Sequence, residues 1–467
     1  MPAPRQVVSL IVAGCLASAA VAAAEPTARR GTGASGGGAT SRPADETPSA
    51  GDERDTSSGE TKGPTLSGQD APPVNQLGRV PSAGEFNTEA HLLAGVGLRE
   101  RLLDRGVRVT GVVIADGLQV LDGPDERGEV RALGVLDFGL DTKRADWLPG
   151  GGWDDGTFFA RLYAGTFTDG AERFPEALVA IDTLPAFEQV VLGELWYEQR
   201  LLEDRLRLRA GRMDANSDFA YAEYAAAFIT DSAAVSPTNP GIPSYLDPAV
   251  GALMFAYPGE WAFGLGVYRG DLALPDPAGV GEPRFLDVDL DTPASSTYVI
   301  AEAARGWNRT GGLPGEAKLG GWLAHGDFNK LDATSPSGNE LLAGGYLIVQ
   351  QALYDESGDG QGLGGFVQVG YTDEEYTATY LHTAAGLVYK GLLPGRDGDR
   401  CGVYVSRSQL SDFAGGFEED DEWVIEATYI MEVTPWLQVQ PDLQHILNAG
   451  GDRRDVTFAG LRVIVSL

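Results

Sequence analysis

Two short runs near the middle of the chain hold the residue types most able to do chemistry. Glu194, Trp196 and Glu198 recur at every second position, and Arg205, Arg207 and Arg209 do the same a few residues later. A period of two is the strand period, so each trio shares one face. Paired as a hairpin, the runs set Glu194 against Arg209, Trp196 against Arg207 and Glu198 against Arg205. A sugar needs an apolar platform for its C–H faces and fixed donors for its hydroxyls; an indole beside guanidiniums provides both. A solvated ladder of ion pairs that only stiffens a wall would show the same spacing. The other faces carry Leu195, Tyr197, Leu206 and Leu208, which lipid accepts while it rejects the charges. Arg161, Asp137 and Asp141 fall on the charged side of the two preceding segments.

The residues between Asp214 and Asp247 are too many for a turn and hold Phe219, Tyr221, Tyr224, Phe228, Asp231 and Tyr245 among three prolines. A connection of that length in a compact protein is usually functional; by analogy with the inward-folding loop of pore-forming barrels, this one is expected to narrow a passage. Other patterns fail on context. Gly360-Gln361-Gly362-Leu363-Gly364-Gly365 has glycine-loop spacing but leads into a strand, whereas dinucleotide binding needs a strand before it and a helix after it. The stretch from Asp355 begins like a calcium loop yet has Phe366 where a bidentate Glu is required. Asp287, Asp289 and Asp291, and the run Glu418 to Glu422, read as solvated loops. His91, His325, His382 and His445 have no ligand spacing. Cys401 reads as a small apolar strand residue. Glu194 and Glu198 sit two apart on one strand, each beside arginine, which does not suit the facing carboxylates of sugar hydrolysis. No catalytic residue, cofactor or metal is expected.

The elements that must position these residues are strands. Sixteen alternating segments begin near Val107, Arg131, Thr157, Phe187, Glu203, Asp247, Trp261, Ser296, Gly315, Leu341, Gln361, Leu381, Arg400, Trp423, Trp436 and Val456. Tight connections such as Pro258-Gly259-Glu260 alternate with long Gly/Asp/Pro-rich ones, the asymmetry of a transmembrane barrel. The last segment runs to Leu467, and a chain that ends on a strand leaves an open edge unless that strand closes onto another. The expected fold is all-β, a sixteen-stranded antiparallel transmembrane β-barrel with an inward-folded loop and a short N-terminal helix over Glu89 to Arg101. An exported, soluble β-rich carbohydrate-binding or hydrolytic protein is the alternative.

Composition narrows the partners. The 467 residues carry 67 acidic and 35 basic side chains, a net charge of -32, so a nucleic-acid partner is not expected. Residues 1–24 read as a signal peptide ending in Ala22-Ala23-Ala24, with a weaker lipobox-like pattern before Cys15. Residues 25–85 are Gly, Ser, Pro and charge with no aromatic, a disordered tether by composition. Residues 86–467 hold nearly all the acidity, about -30.

Several blocks together resemble one family. They are LWYEQ at 195–199, RAGRMDANSDFA at 209–220, SPTNP at 236–240, YLIVQQALY at 346–354, GLVYKGLLPGR at 386–396 and TPWLQVQPD at 434–442. Their order and spacing are similar to those of the carbohydrate-selective porin (OprB-type) family of Gram-negative outer membranes, over about residues 89–467. The resemblance implies a sixteen-stranded barrel in outer-membrane lipid that passes small neutral sugars, and leaves a single barrel and a homo-trimer both open. Two departures stand out. The stretch Ala94-Gly95-Val96-Gly97-Leu98-Arg99 keeps only the glycines and arginine of the family's Asp-Trp-Gly-Gly pattern, and the chain ends in Leu467 where such barrels commonly end in an aromatic.

Overall fold

The structure, a computed structural model, describes residues 97–467 apart from 124–127, 146–154, 168–176, 179–180, 185–189, 246, 271–295, 309–312, 329, 333–337 and 357–359. The proposed signal peptide, the tether, the start of the expected helix and the Asp287 to Asp291 run lie outside the described residues. A helix α1 (Gly97–Leu103) precedes the strands. These are β1 (Val107–Asp122), β2 (Gly128–Asp141), β3 (Gly156–Phe167), β4 (Val190–Leu201), β5 (Leu206–Met213), β6 (Ala249–Ala256), β7 (Trp261–Gly270) and β8 (Ser296–Asn308). The second half comprises β9 (Pro314–Phe328), β10 (Gly338–Asp355), β11 (Gly362–Thr372), β12 (Thr379–Lys390), β13 (Arg400–Leu410), β14 (Asp421–Thr434), β15 (Leu437–Leu447) and β16 (Val456–Ser466). Every strand starts within three residues of the position read from the alternation.

Each strand pairs antiparallel with its chain neighbours, and β16 pairs with β1 to close the barrel. The seam runs from Val112 opposite Ser466 to Asp122 opposite Thr457, and the Leu467 amide donates to Gly111 O at 2.8 Å. Closure satisfies the backbone of the final strand, as the edge argument requires. The β4–β5, β6–β7 and β14–β15 turns share one end of the barrel; the long β3–β4, β5–β6 and β7–β8 connections share the other.

The outward face is an apolar band of exposed Leu136, Leu195, Leu265, Leu319, Leu347, Val367, Leu387, Val403, Leu443 and Leu461. Aromatic pairs flank it: Phe158 with Tyr197 at 4.6 Å and Trp261 with Phe263 at 5.8 Å toward the short-turn end, Tyr371 with Tyr380 at 6.5 Å toward the long-loop end. Such a surface is stable in lipid and costly in water.

The interior departs from a simple wet lumen. The β5–β6 connection folds into the barrel as a 3₁₀ turn (Tyr224–Ala227) and a one-turn helix α2 (Asp231–Ala234). Its Phe219, Ala222, Ala225, Ala227 and Phe228 pack with Phe255, Tyr298, Ile300, Trp322, Tyr346, Phe366 and Tyr404 of the wall, forming one apolar core inside the barrel. Inward wall positions that look exposed to water from strand alternation alone are therefore dry.

Candidate functional site

The residues singled out from the sequence gather on the β2 to β5 wall, in a register different from the expected one. Glu198 stands opposite Arg209, Trp196 opposite Gly211 and Arg200 opposite Arg207. The cause is the turn. Leu202, Glu203 and Asp204 take positive φ of 57°, 57° and 61°, so β5 starts only at Leu206. Arg205 is consequently in the turn and exposed, away from Glu198. At 211 the chain needs glycine: φ is +141°, and a Cβ would run into the Leu195 carbonyl and Trp196 Cα.

Two ion-pair groups result. In the first, buried Arg161 reaches Asp137 Oδ1 and Glu194 Oε1, each at 2.7 Å, while Trp196 Nε1 donates to Glu194 Oε2 at 3.0 Å. In the second, Arg209 binds Glu198 Oε2 at 2.7 Å and Asp218 Oδ2 at 2.8 Å, and Arg207 also binds Asp218. The aromatic rings follow the cations. Arg209 lies 4.0 Å from the Trp196 ring centre, and Phe159 stacks on the same indole at 4.7 Å. Trp196 is only 6% exposed, so its ring is no open platform for a sugar. Its faces are taken by Arg209 and Phe159. Truncating it as Trp196→Ala should lower barrel stability by about 3–5 kcal/mol, the usual cost of emptying an aromatic site, while sugar block of the open channel changes little. A thermal melt with a conductance titration checks this; a loss of sugar block at unchanged stability would restore the platform reading.

The inward loop is fastened to the far wall by its backbone. Ala220 N donates to Glu302 Oε2 at 3.0 Å, Glu223 N to Gln350 Oε1 at 2.9 Å, and Ile229 N and Thr230 N to the two Glu426 oxygens at 2.6 and 3.0 Å. Lys318 Nζ and Gln440 Nε2 donate to the carbonyls of Tyr221 and Ala227, each at 2.9 Å. Of the loop residues chosen from the sequence, Phe219, Tyr221 and Phe228 are buried; Tyr224 and Asp231 are part-exposed.

At the root of the loop, Asp214 is buried beside Glu194, and Ser217 donates to it twice. Burial first, and then Glu194, raise its carboxyl to about 8 against the pull of Ser217 and Arg161. Burial likewise raises Asp231 to about 6. The sign follows. Carboxyls that hold their protons longer in the folded loop stabilise it at low pH, and that stability is lost as pH rises through about 6 and then about 8. Small-ion conductance should accordingly rise from about pH 4 and level off by about pH 8, and Asp214→Asn should remove the part of that rise between about 6 and 8. An identical profile in the variant would remove Asp214 from the account.

The alternation argument missed a third group. Arg462 of β16 lies directly opposite Asp116 of β1, binds it at 2.6 Å and reaches Asp182 of the β3–β4 connection at 2.8 Å. Arg131 Nη1 donates to Leu184 O at 2.6 Å and Gln444 Nε2 to Ile181 O at 2.8 Å; Thr183 N meets Ile229 O at 3.0 Å. A second connection thus folds inward and joins the first. Its only sequence signal is a lone charge, Arg462, on an otherwise uncharged final strand.

A closed sixteen-stranded barrel with an apolar outer band and a lumen narrowed by two inward connections is the architecture of a porin. Family comparison places the chain more closely: residues 136–467 match the model of the carbohydrate-selective porin OprB family, and the chain belongs to that family. Porin B of Pseudomonas aeruginosa is 26% identical over 185 residues, 32% of this chain and 41% of that protein. The high-pH structure of Pseudomonas putida OprB superposes with a TM-score of 0.69 at 19% identity, covering 82% of this chain and all of that one. The low-pH structure of the same protein gives 0.52 at 20% identity over the same shares. At these identities the two structures establish the fold.

Proposed function

We propose that the protein is a passive channel of the Gram-negative outer membrane through which small neutral sugars diffuse. The observation that carries this reading is charge balance at the narrow part. Arg161, Arg207, Arg209 and Arg462 each bind carboxylates directly, so these cations leave no unmatched positive field along the wall. Such a wall suits a hydroxylated neutral solute better than an ion. The exposed apolar band supports contact with outer-membrane lipid and disfavours the soluble alternative. Glu194 and Glu198 are engaged by arginines, which supports a channel that performs no catalysis and needs no cofactor. In this reading residues 1–24 are removed on export and the barrel assembles alone or as a homo-trimer.

Proteoliposome swelling tests the proposal. Vesicles containing the protein should swell in glucose faster than protein-free vesicles, and sugars added to a planar bilayer should block its ion current. No sugar flux through a conducting, membrane-inserted barrel would sink it. Residues 25–85 are proposed as a tether that contributes no pore wall; their deletion should leave conductance and sugar flux unchanged, and reduced flux at equal barrel abundance would show otherwise.

A further inference from the structure

Along β6 the inward positions Leu253 and Phe255 are buried, and Met254 between them is exposed on the lipid face. The alternation makes Tyr257 the next inward position, just where the strand gives way to the Pro258-Gly259-Glu260 turn at the short-turn end. Pro258 keeps the residue before it extended, and Gly259 takes the left-handed φ of +67° that turns the chain back. The Tyr257 amide donates to Arg205 O at 3.0 Å, which fixes the residue at the rim of the wall that carries Arg207 and Arg209.

Tyr257 differs from the other aromatics of this wall in what covers its ring. Trp196 carries Arg209 at 4.0 Å and Phe159 at 4.7 Å, and Phe255 carries Arg207 at 4.6 Å and Phe219 at 5.0 Å. Both of those side chains are buried, whereas Tyr257 is part-exposed. Among the described residues it meets one ring, Phe255, nearly parallel at 15° but with the centres 6.1 Å apart, so the two are offset and do not cover each other face to face.

Polar groups that a sugar hydroxyl can use stand beside it. Arg207, Asp218, Glu198 and Arg200 all lie within electrostatic reach of the Tyr257 hydroxyl. Their mutual bonds hold them in place, Arg207 to Asp218 at 2.5 Å and Arg200 to Glu198 at 3.2 Å. A guanidinium has five N–H donors, so each arginine keeps some beyond those its partner uses, and the Arg200 side chain is half exposed. Glu198 and Arg200 also line a cavity of about 240 Å³ with Asp141 and Thr157, which makes the polar surface concave. An apolar ring face beside a few fixed polar groups in a concavity is the makeup of a small-molecule site. Two arginines and two carboxylates cancel, so the solute it suits is neutral.

We propose that Tyr257 is the platform on which a pyranose stacks at the periplasmic mouth, with Arg200 and Arg207 donating to its hydroxyls, and that this contact makes the channel prefer cyclic sugars to acyclic polyols. The proposal rests on the sugar-channel reading and names the substrate class within it. A pyranose has a C–H face to lay on the tyrosine ring; an open-chain hexitol offers no fewer hydroxyls and no such face. The probes are glucose and mannitol, each titrated as a blocker of ion current through the full-length protein in planar bilayers. Glucose should reach half-block at about a fifth of the mannitol concentration. Tyr257→Ala should bring glucose to the mannitol level, and so should Tyr257→Leu, which fills the space without an aromatic face and carries the test should the alanine variant not insert. Tyr257→Phe keeps the ring and should keep the preference. Equal block by the two solutes in the wild type overturns the proposal, as does an undiminished glucose preference in the Ala or Leu variant, or its loss in the Phe variant. A conducting wild-type channel that neither solute blocks would instead overturn the underlying sugar-channel reading.

Discussion

Deleting residues 222–240 should raise small-ion conductance severalfold and admit larger oligosaccharides. The segment crosses the lumen to the β10 and β14 walls, where Gln350 and Glu426 accept its amides. It also supplies Ala222, Ala225, Ala227, Phe228 and Ala233 to the interior apolar core. Without it, the wall residues that bound it become the lining of a wider passage. The barrel should survive, because its strands are held by a closed ladder of interstrand hydrogen bonds that does not pass through the loop. Glu426 would then lose the loop amides of Ile229 and Thr230 and face water, so the widened pore should favour cations at low salt and lose that preference near 1 M, where the Debye length is about 3 Å. Single-channel conductance, reversal potentials and a liposome size series measure all three. An unchanged size cutoff would place the segment outside the permeation path.

Strand positions and closure were legible because a wall between lipid and lumen forces alternation along the strands, and because a terminal strand needs a partner. The hairpin register was not, since the β4–β5 turn spends three successive residues, Leu202 to Asp204, in the left-handed region and moves Arg205 out of the strand. No residue type there announces such a turn. Alternation correctly set Glu194, Trp196 and Glu198 on one face with Arg207 and Arg209. It could not show that Phe159 and Arg209 would occupy the Trp196 ring, because that depends on how three strands pack. The small residues Ala222, Ala225 and Ala227 gave little sign that the inward loop builds a dry core, since alanine carries a weak pattern signal; the aromatics around them did. The tie between Arg462 and Asp182 spans 280 residues and lies beyond any local pattern.

That tie should have the largest effect when cut. Arg462→Met leaves Asp116 and Asp182 facing each other, both nearly inaccessible to solvent. An uncompensated buried carboxylate costs about 3–5 kcal/mol, enough to lift the β3–β4 connection off the wall in preference to retaining the charge. Asp182 is already held well above the ordinary carboxylate range, by burial first and then by Asp116, with Arg462 and Arg131 opposing. Removing Arg462 removes the nearer opposing charge and pushes it higher still. A carboxyl raised in the docked form stabilises docking while protonated, and that stability is lost as pH rises through its folded value. The variant channel should therefore be quiet near pH 4 and noisy near pH 8, with a rise in mean conductance larger than the one that Asp214 and Asp231 give the wild type. Adding Asp182→Asn should quiet the channel again near pH 8, since a neutral amide can stay docked beside Thr183 and Leu184. It should not restore the melting temperature, because Arg462 also spans the β1–β16 seam to Asp116 and that contact remains lost. Single-channel recordings and heat-modifiability on gels separate the two effects. A quiet Arg462→Met channel at pH 8 would show that the connection is held by its backbone contacts to Arg131 and Gln444 alone.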